Sequence, residues 1–236
     1  MGILIAAAIT TALALCGFAM LLQRAKDWRP LALAFVIALP LQPLVFYAVR
    51  LPIDGMLRTN FGIAVGWVTI VSLLYAPLLE EPAKWLTAAV PAVRRAIRLD
   101  PIRLALAAGV GFGIGEIWFL ASAIARSPNV PNLPFWQFSG FMIERCAVCF
   151  LHGAFLAPAF YALARCRWFL LGGIAGMILH FLLNFPIFLA QTGAFGIGPT
   201  TWPMLLVSWI FWCVVGCVFL VIYLSDRFKR QIAKPP

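Results

Sequence analysis

Apolar residues along this chain neither alternate nor recur at an amphipathic spacing; they come in blocks. Blocks at 3–22, 31–49, 61–89, 102–125, 138–164, 168–190 and 201–224 are separated by "QRAKDWRP", "RLPIDGMLRTN", "PAVRRAIRLD", "RSPNVPNLPFWQ", "RCRW" and "QTGAFGIGPTT". The separators are rich in Pro, Gly, Asn and charge, the residues that end regular structure. An apolar run of about 18 or more residues suffices for a helix to cross a ~30 Å hydrocarbon core. The pattern therefore predicts an all-α, polytopic membrane helix bundle of about seven transmembrane helices. The third and fifth runs are long enough to tilt or protrude. No polar stretch could hold a soluble domain, so residues 1–236 form one integral membrane domain.

Composition sharpens this picture. Hydrophobic residues make up 64% of the chain and charged ones 11%, against about 25% charged in soluble domains. No basic residue precedes the first run, which argues for a retained helix rather than a signal peptide. Thirteen Lys and Arg fall in the first, third and fifth connections and the C-terminal tail, three in the second, fourth and sixth. The positive-inside bias then places the N-terminus outside and the C-terminus in the cytoplasm. The net charge of +10 follows from that topology and from attraction to anionic headgroups of the bilayer. No nucleic-acid partner is expected.

The ionisable residues inside the runs are the chemical signal. All four aspartates lie in connections or the tail, whereas Glu80, Glu81, Glu116 and Glu144 lie within runs, as do Lys84, Arg145, His152 and His180. Intramembrane Asp, Lys or Arg costs at least ~2.5–3.5 kcal/mol each on insertion scales, so such groups are functional candidates by default. Glu81, Glu116, His152 and His180 each lie thirteen residues from an arginine at the cytoplasmic end of their helix (Arg94, Arg103, Arg165 and Arg167). At ~1.5 Å rise per residue this is a common depth of about 20 Å. Four consecutive helices thus offer a carboxylate or imidazole at one level, which predicts one polar site.

Local spacing supports a shared cavity. Glu80 and Lys84 are four apart, so the lysine can neutralise part of the glutamate pair. His180 and Asn184 are four apart, and Arg145 and His152 seven apart, each pair sharing a face. Pro77 and Pro82 remove helix donors beside the glutamates, which a membrane tolerates only where protein or water satisfies the freed groups. "GVGFGIGE", residues 109–116, follows no strand; Gly109 with Gly113 and Gly111 with Gly115 are expected to let the fourth helix pack closely and carry Glu116 inward. Six cysteines, mostly within runs, are expected to pack as small hydrophobes, including Cys146 and Cys149 on the His152 face.

Carboxylates and imidazoles at one depth can activate water, one group acting as general base and another polarising a carbonyl. His180 and Asn184 suit stabilisation of an oxyanion. A His₂Glu zinc site from Glu116, His152 and His180 is the other arrangement open to these residue types, although no H-E-x-x-H motif points to zinc.

The order Glu80-Glu81-x-x-Lys84, a glycine-rich helix ending in Glu116, Arg145 before His152, and His180 before Asn184 resembles the PrsW-like intramembrane proteases. These are similar to the CAAX prenyl endopeptidase and bacteriocin-processing superfamily, which includes Aph-1-like proteins. The resemblance covers about residues 60–190. It implies cleavage of a membrane-bound protein, of the anti-sigma-factor kind, near or within the bilayer of a bacterial cytoplasmic membrane. Carried over by position, Glu80 would be the water-activating base and Glu81 its partner. Glu116 and His152 would complete water activation, His180 and Asn184 would hold the oxyanion, and Lys84 and Arg145 would support them. Ile117 stands where relatives often have Asn, and Lys84 and Val148 depart from the prenyl endopeptidase pattern, which disfavours prenylated substrates. Whether zinc takes part, which of Glu80 and Glu81 is the base, and the oligomeric state stay open. The competing readings are a non-catalytic Aph-1-like scaffold and a proton-coupled transporter.

Overall fold

The computed structural model describes residues 1–61, 66–127, 133–165, 168–192 and 202–232. Among them every regular element is helical: α1 (Gly2–Gln23), α2 (Arg29–Ala38), α3 (Leu41–Val45), α4 (Leu51–Phe61), α5 (Gly66–Trp85), α6 (Pro91–Ile97), α7 (Pro101–Ala125), α8 (Ser139–Ala164), α9 (Phe169–Thr192) and α10 (Trp202–Ile232). The chain is an all-α polytopic helix bundle. Among the described residues, six segments are long and apolar enough to cross a membrane: Gly2–Gln23, Arg29–Phe61, Pro101–Ala125, Phe135–Ala164, Phe169–Pro186 and Leu205–Ile232. The remaining predicted span, the third run at 61–89, corresponds to α5, 20 residues long, which carries Glu80, Glu81 and Lys84 in its last turns.

Three predicted boundaries shift. "RLPIDGMLRTN" was expected to break the second span, yet helical structure continues through it to Phe61. Pro52 lacks the N–H that an α-helical turn would need, and the chain absorbs this with a π turn over Phe46–Arg50 just upstream, where the Leu51 N–H reaches the Phe46 carbonyl. Thr59 and Asn60 turn their side chains back onto the carbonyls of Gly55 and Met56, both at 2.8 Å, instead of opening the helix. The third run ends earlier than expected: α5 stops at Trp85, a 3₁₀ turn follows over Leu86–Ala89, and Val90 adopts an extended backbone before α6. The last helix runs past the predicted 224 to Ile232.

The core is α7 packed on α8, α1 and α2, with α9 closing on α8 and α5. Glycine sets the approach. A Cβ on Gly109 would collide with the backbone of Gly153 in α8, and one on Gly113 with Cys149. On the other side of α7, Gly111 and Gly115 lie against the carbonyls of Phe35 and Leu39. The expected close packing is thus found on two faces at once. In α9, Gly172 and Gly176 meet the carbonyls of Pro158 and Phe155, and the same four-residue stripe continues to His180 and Asn184. Without an apolar solvent difference to drive helices together, such backbone contact is what membrane helices pack by.

Helix ends alternate as expected. Gly2 at the start of α1 lies against Leu133–Phe135, in the α7–α8 connection. At the opposite end Leu21 and Arg24 of α1 share a pocket with Arg103 of α7 and Lys229 of α10.

Candidate active site

The two prolines of α5 do not end it; the helix continues to Trp85 and delivers Glu80 and Glu81 to opposite sides of one wall. Glu80 lines a cavity of about 600 Å³ bounded by the π turn, α5, α7, α8, α9 and Ile210 of α10. Glu116, His152, His180 and Asn184 line the same cavity, together with Arg145. The four predicted levels therefore converge. Of the four depth anchors, Arg167 lies outside the described residues.

Glu81 and Lys84 sit behind this wall, 1% and 0% exposed. Lys84 Nζ donates to Glu81 Oε1 at 2.6 Å and to His152 Nδ1 at 3.2 Å. Its ammonium also lies 5.1 Å from the centre of the Phe112 ring, a favourable place for a buried cation. Glu81 Oε1 in turn receives His180 Nδ1 at 2.7 Å. The carbonyl of Lys84 accepts from the Thr87 hydroxyl at 2.7 Å, anchoring the 3₁₀ turn that follows.

The expected Glu80–Lys84 pairing is replaced. Lys84 pairs with Glu81, three residues away, because it must also reach His152; Glu80 is paired instead by Arg50 Nη1 at 3.2 Å. Arg50 comes from the π turn, thirty residues upstream. Its role had no local signal in the sequence, where it marks the end of an apolar run. Arg126 also lines the cavity unannounced, and Glu144, counted among the intramembrane glutamates but given no role, lines it too. Arg145 forms a clamp, one nitrogen on Glu116 Oε1 at 2.9 Å and the other on Glu144 Oε1 at 2.6 Å. His152 Nε2 holds the second Glu116 oxygen at 3.0 Å, so Arg145 and His152 do share a face of α8, and the group they share is Glu116.

These contacts assign ring protons. A lysine ammonium has no acceptor capacity, so His152 Nδ1 accepts from Lys84 and the ring proton sits on Nε2, donated to Glu116. At His180 the Nδ1–H donates to the Glu81 carboxylate. In the neutral ring this leaves the Nε2 lone pair facing Glu80 Oε2, 3.8 Å away. The result is a continuous polar path from Arg50 through Glu80, His180, Glu81, Lys84, His152 and Glu116 to Arg145, with charges alternating along most of its length.

Glu80, His152 and His180 offer ligand atoms within 4.8 Å of one another. This group has Glu80 where the set considered from the sequence had Glu116. A divalent ion does not fit it well chemically: both His152 nitrogens are engaged, and the Lys84 ammonium stands 3.2 Å from one of them. A metal would have to displace Lys84 or Glu116. Cys149 packs beneath Gly113, and no cysteine joins a metal-capable cluster among the described residues.

Comparison with protein-family models, with curated proteins and with solved structures finds no match.

Proposed function

We propose that this protein is an intramembrane peptidase of the glutamate type that hydrolyses a peptide bond of a membrane-protein substrate in a bacterial cytoplasmic membrane. The observation that carries the reading is the placement of Glu80. It faces a cavity large enough for a peptide segment, at a distance from His180 Nε2 that one water can span. That imidazole is oriented from behind by Glu81, as a base is by its carboxylate partner.

Water held between Glu80 Oε2 and His180 Nε2 loses a proton to Glu80 as its oxygen attacks the scissile carbonyl carbon. Glu80 then returns that proton to the departing amine nitrogen, so the proton count closes. With its Nδ1–H given to Glu81, a neutral His180 has no hydrogen left for an oxyanion, so we assign that role to the Asn184 amide. Glu81 is the orienting group and Glu80 the base. Glu116, clamped by Arg145 and His152, is a fixed anion of the cavity wall. No step in this scheme passes through a metal.

Glu80→Gln keeps size and hydrogen bonding but cannot take a proton. In vesicles containing a candidate single-span protein, the variant is expected to lose about 10²–10⁴-fold in cleavage rate with unchanged abundance and unfolding temperature. A chelator is expected to leave the wild type active. Full cleavage by Glu80→Gln would remove the assigned base. A fully folded wild type that cuts no single-span candidate, while His180→Ala loosens the bundle, would favour the scaffold.

A further inference from the structure

A second cavity, of about 620 Å³, lies on the side of α7 that faces α1 and the α2–α3 segment. Its walls are helical stripes. Phe35, Leu39, Pro43 and Tyr47 recur every four residues along one side, Thr11 and Leu15 of α1 line another, and α7 contributes Ile114 through Arg126. Those twelve steps of α7 make the groove about 18 Å long at ~1.5 Å per residue, more than half of a ~30 Å hydrocarbon layer.

Three residues of this groove, Tyr47, Phe119 and Arg126, also line the catalytic cavity. The Phe119 ring is held between Phe46 at 4.0 Å and Tyr47 at 5.3 Å, centre to centre. This aromatic cluster is therefore the partition between an apolar, lipid-facing groove and the polar cavity. It stands on the π turn, a local geometry that recurs at functional sites. Arg126 marks the end of the groove. Unlike Arg50 and Arg145, it makes no ion pair among the described residues and is exposed. The Thr11 hydroxyl, buried without a hydrogen-bond partner among the described residues, lies in the groove wall.

We infer that this groove is the docking site for the transmembrane helix of the protein substrate, that Arg126 receives an acidic residue just beyond that helix, and that Phe119 and Tyr47 are the gate its cleavable segment passes. The inference rests on the peptidase reading for the gate and not for the docking. A helix is favoured as occupant because the groove is apolar over a helical length, carries a cation at one end and runs into the cavity; a phospholipid would use the first two of these features and not the third.

Docking is tested without catalysis. A photo-crosslinking residue at Trp118, in the Glu80→Gln background, is presented in phosphatidylethanolamine–phosphatidylglycerol vesicles with a synthetic single-span leucine–alanine peptide ending in Glu. The same probe at Trp212, on the exposed face of α10, is the control. The expected result is strong capture at Trp118 and little at Trp212. Arg126→Gln should lower capture about threefold, the size of an exposed ion pair, for the Glu-ended peptide and not for a Gln-ended one. Equal capture at both positions, or capture of phospholipid alone at Trp118, overturns the docking site. The gate is tested in the active protein: Phe119→Ala should speed cleavage of a single-span substrate and Phe119→Trp slow it, each rate being taken relative to the amount of peptide captured at Trp118. Equal rates for the two variants overturn the gate. Peptide capture in a protein that cuts nothing would overturn the peptidase reading while leaving the docking site standing.

Discussion

The last turns of α5 and the whole of α10 invert the arrangement familiar from soluble proteins. Along α5, Glu80, Glu81 and Lys84 are buried to within a few per cent, and Lys84 is among the largest fully buried side chains of the described residues. Along α10, Trp212 is 67% exposed and Val207, Phe211 and Phe219 are similarly open, while charge is confined to the final turns from Asp226 onward. With hydrocarbon as the surrounding medium, an apolar side chain gains little by turning inward, and a charge has nowhere else to go. Burial in this molecule therefore measures ionic and backbone complementarity more than hydrophobicity.

That contrast can be broken most severely at Lys84. Lys84→Met leaves Glu81 buried without its cation, and loss of one partner of a buried pair costs about 3–5 kcal/mol. The expected outcome is a large fall in the unfolding temperature measured in detergent micelles. Adding Glu81→Gln to Lys84→Met should recover part of the loss, because two neutral groups are cheaper to bury than one charge. A single mutant as stable as the wild type would show that the α5 charges are not held as the structure has them.

The next effect tests backbone approach. Gly109→Val drives a side chain into the backbone of Gly153 and is expected to cost about 1–3 kcal/mol or more, as overpacking does, by the same unfolding measurement. At the other extreme, Trp212→Leu should change stability by no more than about 0.5 kcal/mol. A large loss there would mean that α10 is covered by something other than lipid.

The same contrast explains what the sequence made legible. Helix-length apolar runs, ionisable residues inside them and the two glycine pairs of α7 are local signals, and the bundle, the common cavity and the close seams follow from them. The helical path through residues 50–61 was hidden because Pro52, Gly55 and Asn60 are breakers by the experience of water. Here the backbone satisfies itself through a π turn and returning side chains. Arg50 was hidden for a different reason: its partnership with Glu80 spans thirty residues and depends on the helix rotation set by that π turn. Which of Glu80 and Glu81 faces the cavity needed three dimensions too. Neighbouring residues on a helix diverge by about 100°, and only the packing of α9 shows which of the two meets the cavity.

The π turn over Phe46–Arg50 amounts to a helix with one residue too many. Removing a single residue within Phe46–Val49 would restore an ordinary α-helical winding and rotate everything beyond it by about 100° relative to α3. The Arg50 guanidinium would swing away from Glu80, and the hydroxyl of Tyr75, which now donates to Asp54 of α4, would lose its acceptor. A deletion of one residue, far from the glutamates in sequence, would thus act like a key turned in a lock: the barrel of helices intact, the pins no longer aligned.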